Sequence, residues 1–107
     1  MRIAFRMKVN SGAEAEYIHR HNPIWPELEQ TLKDHGVTDY TIFHDAATGD
    51  LFAYAAIEDV ARWKAIAGTD VCRRWWQHMA PLMTTNADGS PVAGELQEVF
   101  HIEAARR

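Results

Sequence analysis

A chain of 107 residues with 47% hydrophobic residues can build one real core and is too short for two ordinary domains. Its formal charge of −4 excludes the basic face that a nucleic-acid partner requires, and its single cysteine, Cys72, excludes an internal disulfide. No run approaches the ~20 apolar residues of a membrane span, and the opening MRIAFRMKVN lacks the apolar stretch of a signal peptide, so a cytoplasmic protein with no membrane partner is expected.

In chain order, Arg2–Val9 alternates Ile3, Phe5, Met7 and Val9 with Arg2, Ala4, Arg6 and Lys8, the period of a half-buried strand. NSGAE is a turn, with Ser11 as a candidate N-cap for a helix from about Ala13 to His21. NPIWP then breaks that helix, because Asn22 and Trp25 each precede a proline and are biased away from helical geometry. Pro26 suits the first position of a second helix, with Glu27 and Glu29 where the dipole favours them. That helix places Leu28 and Leu32 on one face and ends at Gly36.

Thr38–His44 reads as a strand, DAATGD as a hairpin loop, and Leu51–Ile57 as a strand apolar on both faces. Asp59–Ala67 is a helix closed by Gly68, and Thr69 or Asp70 caps the next one, VCRRWWQHMAPLM. Thr84–Gly94 has no periodicity and is a loop. Glu95–Ile102 alternates again and is the last strand. The tail at 103–107 is expected to fray.

The order βαββαβ is the ferredoxin-like arrangement, an α+β fold with helices on one face of a four-stranded antiparallel sheet. LFAYAAI asks for cover on the other face as well. With no helices left, a second copy of the same sheet is the simplest cover, so a symmetric homodimer is expected. A small domain gains from such a partner because it buries a modest share of its own surface.

Among residues that could carry chemistry, His19 and His21 suggest a metal pair. On a helix, however, positions i and i+2 point about 200° apart. The remaining histidines are scattered and one cysteine cannot complete a thiolate site, so no functional metal is expected. Tyr17 and His21 are four apart and share a helix face. Spacing alone favours an aromatic core stripe ending in a helix C-terminal cation. Against this, Asn22-Pro23 leaves the imidazole at an exposed helix end, where a ligand can reach it. A reference pKa near ~6.5 then suits proton transfer.

Trp75 and Trp76 point about 100° apart. The ordinary reading is one core tryptophan and one at a rim, and the functional reading is an aromatic wall for the C–H faces of a sugar. Tyr40 is either an ordinary strand aromatic or the source of a pocket hydroxyl. Asp70 with Arg73 and Arg74 reads as helix-surface pairing.

The strings EYIHRHNPIWPELEQTLKDHG, GTDVCRRWW and SPVAGELQEVF resemble the L-rhamnose mutarotase family over nearly the whole chain. The resemblance implies a cytoplasmic sugar epimerase with the dimeric α/β barrel fold. It implies that His21 is the proton donor and that Tyr17, Tyr40, Trp75 and Trp76 bind the sugar, with no cofactor and no metal. AARR at the end lies beyond the family pattern. Two rival readings stand beside it: a cofactor-less monooxygenase, because the same barrel hosts those, and a non-catalytic sugar-binding dimeric module.

Overall fold

The computed structural model describes residues 1–104. Four strands, β1 (Arg2–Lys8), β2 (Val37–His44), β3 (Asp50–Ile57) and β4 (Gly94–Leu96), form one sheet in the order β2-β3-β1-β4, every neighbour antiparallel. Helices α1 (Glu14–Arg20), α2 (Pro26–Asp34), α3 (Val60–Ala65) and α4 (Asp70–Met79) complete the ferredoxin-like α+β fold.

Side-chain alternation and register settle which residues face the helices. Ile3 pairs with Ala55 and Ala55 with Tyr40; Phe5 pairs with Ala53 and Ala53 with Ile42. These residues, with Met7 and Leu51, share the inner face. Met7, Val9, Tyr17, Leu28, Leu51, Ala53, Val71, Trp75, Met79 and Met83 form the larger buried cluster, and Val37, Ala55, Ile57, Ile66 and Cys72 the smaller one. Leu32, Tyr40 and Trp76 pack against both.

The middle of the inner face carries two alanines, Ala53 and Ala55, buried at 1% and 0% exposure. Strands β1 and β2 flank them roughly 9–10 Å apart, yet the rings of Phe5 and Tyr40 come to 6.4 Å edge to face. The large side chains thus lean inward over the small ones, and a cavity lies between that floor and the helices.

Gly36 follows α2 at φ +88°, as expected for a helix-ending glycine. Gly49 turns the β2–β3 hairpin at φ +80°, where an added Cβ would stand 3.0 Å from the Val9 carbonyl oxygen. Asp59 and Thr69 cap α3 and α4 by accepting from the amides of Arg62 and Cys72.

Several expectations need correction. Ser11 caps nothing: α1 starts at Glu14 after Ala13, without a side-chain cap. The first strand stops at Lys8, and Val9 makes only an isolated bridge to Met83. Helix α3 ends at Ala65 and passes into a 3-10 turn over Ile66–Gly68. The last strand is much shorter than Glu95–Ile102. Only Gly94–Leu96 pairs with β1, because a strand needs a neighbour to accept its backbone hydrogen bonds and the segment past Leu96 has no such ladder. Of the expected frayed tail, Glu103 and Ala104 are exposed and irregular, and residues 105–107 lie outside the described residues.

Candidate active site

The proline-rich break between α1 and α2 builds one wall of the cavity. Helix α1 presents Tyr17 inward, buried at 6% exposure. One turn later the His21 ring stacks on the Tyr17 ring at 4.4 Å with 29° between planes. The helix stops there because the amides of His21 and Asn22 bond back only three residues, to Ile18 and His19. The Asn22 side-chain amide also donates to the Ile18 carbonyl, at 2.8 Å, and so adds a second donor at the helix end. The Asn22-Pro23 peptide is cis. Pro26 is the first residue of α2, with Trp25 just before it outside helical geometry at φ −58° and ψ 128°.

His21 is fixed on three sides. Its Nδ1 lies 2.8 Å from the Tyr17 carbonyl oxygen. A carbonyl can only accept, so Nδ1 carries the hydrogen and Nε2 is left with a lone pair in the neutral ring. Tyr17 covers one face, and Trp75 meets the ring edge to face at 5.1 Å and 87°. The exposed helix end expected from Asn22-Pro23 is therefore corrected. The ring is half-buried, and desolvation lowers its pKa below the ordinary 6.5, against the opposing pull of the Tyr17 carbonyl.

Trp75, on α4, is buried at 8% exposure. Trp76 is half-buried and touches both core clusters. Tyr40 rises from β2, with Trp63 of α3 at 5.9 Å and Phe5 at 6.4 Å. Burial pushes the Tyr17 phenol up to about 12. Burial, then the neighbouring phenol of Tyr17 and thiol of Cys72, raise Tyr40 further still. Both phenols thus stay protonated at neutral pH and offer neutral hydroxyls. Burial likewise pushes the Cys72 thiol up to about 11, which leaves it a poor nucleophile.

All five residues singled out from the sequence, Tyr17, His21, Tyr40, Trp75 and Trp76, line this one cavity. Phe5 and Trp63 line it too, and the sequence does not announce them. Phe5 reads as one more alternating strand residue, and Trp63 as a residue of a short helix. Only the register of β1 and the docking of α3 bring them to Tyr40. Among the described residues no three His, Cys, Asp or Glu side chains gather as a metal site would need. The expected pairing on α4 holds for Arg74, which bonds Asp70 at 2.7 Å and also reaches Glu27 of α2 at 3.0 Å.

Residues 2–102 match the family described as L-rhamnose mutarotase. An L-rhamnose mutarotase of Opitutus terrae is 56% identical over 103 residues, covering 96% of this chain and 99% of that protein. One from Shigella flexneri is 56% identical over 102 residues, covering 95% and 98%. The crystal structure of an L-rhamnose mutarotase from Formosa agariphila superposes with a TM-score of 0.89 at 43% identity, over 96% of this chain and 99% of that one. A cofactor-independent oxygenase from Streptomyces nogalater, SnoaB, shares the fold alone, with a TM-score of 0.66 at 13% identity and 96% of each chain covered.

Proposed function

The chain belongs to the L-rhamnose mutarotase family, and from that premise we propose that the cavity between sheet and helices holds L-rhamnose while His21 moves the protons that interconvert its anomers. The protein is an isomerase: it exchanges the α and β forms of the sugar by opening and reclosing the pyranose ring. The observation that carries the site assignment is the His21 hydrogen bond to the Tyr17 carbonyl, which commits Nδ1 and reserves Nε2.

Ring opening removes a proton from the anomeric hydroxyl, breaks the bond between C1 and the ring oxygen, and places a proton on that oxygen. The two oxygens share C1, so one imidazole nitrogen can reach both in turn. Neutral His21 takes the anomeric proton on Nε2. The imidazolium then gives it to the departing ring oxygen, acting as the donor. The aldehyde turns about its C1–C2 bond, and the same steps in reverse close the ring on its other face. Burial raises the Tyr17 phenol, which supports His21 rather than a Tyr17 phenolate as the acceptor near neutral pH. Its hydroxyl and that of Tyr40 serve as neutral hydrogen-bonding groups for the sugar. Trp75 and Trp76 form the aromatic wall. L-rhamnose carries a methyl group in place of a primary alcohol, and the Phe5–Tyr40–Trp63 corner offers an apolar lining suited to such a sugar. General acid–base catalysis contributes roughly 10²–10⁴ in rate, enough to matter for a reaction that water alone performs slowly.

The whole chain acts as a single domain, since both core clusters share Leu32, Tyr40 and Trp76. It works in the cytoplasm as a homodimer. The support for the dimer is the exposed apolar surface of Phe43, Val99, Phe100 and Ile102. No helix among the described residues is long and apolar enough to cross a membrane. The experiment is saturation-transfer NMR between the rhamnose anomers. The protein is expected to accelerate exchange and folded His21→Asn to abolish most of that acceleration. Wild-type exchange in His21→Asn would remove His21 from the mechanism.

A further inference from the structure

We propose that Trp25 is a positioning residue that acts on His21 through Trp75. The inference rests on the reading of His21 as the proton-transfer group. Trp25 is absent from the cavity lining, whereas Trp75 and His21 are part of it. The Trp25 ring meets Trp75 edge to face at 5.1 Å and 80°, and Trp75 in turn meets His21 at 5.1 Å and 87°. His78 closes the far side, 5.2 Å from Trp25 and 5.7 Å from Trp75. Trp75 is thereby packed between the catalytic ring and a second indole.

Two anchors hold Trp25 itself. It sits between Ile24 and Pro26, where the proline ring restricts the preceding backbone. Arg74 lies 6.0 Å from its ring centroid while bridging Glu27, two residues on, to Asp70 of α4. The geometry matters because His21 must aim a single nitrogen at two oxygens in sequence. Errors of about an ångström in such aim cost orders of magnitude in rate. If Trp75 is free to rotate, the imidazole loses the edge contact that opposes ring rotation, and rotation carries Nδ1 away from the Tyr17 carbonyl that sets its tautomer.

The test compares Trp25→Ala and Trp25→Phe with Val37→Ala, a buried substitution in the smaller core cluster at a residue away from the cavity. Exchange kinetics, thermal melting and the imidazole ¹⁵N shifts of His21 are read in each. Trp25→Ala should lower kcat about tenfold or more and turn the single Nδ1–H tautomer signature into a mixture. Trp25→Phe should restore most of both. Val37→Ala should lower the melting temperature while leaving kcat and the signature unchanged. Should Trp25→Ala fail to fold, Trp25→Leu is read in its place. An unchanged tautomer signature in the truncated variant, or a kcat loss that tracks melting temperature across all variants, overturns the proposal. The reading it rests on fails separately, by wild-type exchange in His21→Asn.

Discussion

His21 titrates in a direction that gives the proposed mechanism a sign. Desolvation holds its pKa below 6.5, and the cycle begins from the neutral ring. Exchange should therefore fall as the pH drops through a midpoint below 6.5 and level off above it. A rate that instead rises on acidification would mean the imidazolium starts the cycle. Stability carries the same sign. A histidine whose folded pKa is depressed contributes stability that is fully present above its unfolded value and is lost as the pH falls through the folded one. Melting temperature should thus decline below about pH 6.5, and His21→Asn should decline less steeply. The phenols make a second prediction at this scale. Neither Tyr17 nor Tyr40 is among the enclosed polar atoms lacking a partner; His44 Nε2 is the one such atom among the described residues. Both residues line the cavity. Tyr17→Phe and Tyr40→Phe each delete one neutral hydrogen bond of about 0.5–1.5 kcal/mol, so KM should rise about two- to tenfold with little change in melting temperature. Unchanged KM in both would leave the sugar bound elsewhere.

At the scale of elements, the tandem tryptophans of α4 divide their work by the helical twist between them. Trp75 is buried among Trp25, His21 and His78, whereas Trp76 is half-buried between the two clusters. Trp75→Phe should melt earlier and lose kcat. Trp76→Phe should keep its melting temperature more closely and lose affinity, read as a raised KM. Truncation to Ala would cost ~3–5 kcal/mol at a buried aromatic, so Phe is the informative probe. If both Phe variants melt early and bind normally, the aromatic wall is only core.

What made these elements legible in advance is local chemistry. Pro26 at a helix start, Gly36 at a helix end and Thr69 as a cap are decided within a few residues of themselves, and the structure agrees at each. Ser11 misled because a good capping residue two positions early has no helix amide within reach. The meeting of Trp25 with Trp75 was invisible for a different reason. It depends on how far the chain swings through Pro23 to Pro26 and on the packing of α2 against α4, and no periodicity encodes either.

Across the whole molecule the unresolved demand is cover. The outer sheet face carries Phe52, Tyr54 and Ala56 from β3, with Thr41 and Phe43 of β2 beside them. Phe43 is 65% exposed, and Val99, Phe100 and Ile102, past the end of β4, are 90%, 77% and 78% exposed. The alternation over Glu95–Ile102 still has the form of a strand, but only Gly94–Leu96 finds a partner. An Arg2–Glu98 ion pair at 3.0 Å keeps the start of the unpaired stretch beside β1. Such a stretch, apolar and short of backbone partners, gains both from a second copy: hydrogen bonds for its amides and burial at about 25 cal/mol per Å² for its side chains. The proposed homodimer should therefore scatter light as twice the chain mass at micromolar concentration, and its melting temperature should rise with protein concentration. Phe100→Glu, which places a charge on the apolar stretch while touching nothing in the cavity, should shift the mass toward the monomer. A wild-type monomer under those conditions would refute the dimer. A dimer that Phe100→Glu and Val99→Glu leave intact would keep the assembly but move its contact away from the terminal stretch and onto the sheet face around Phe43.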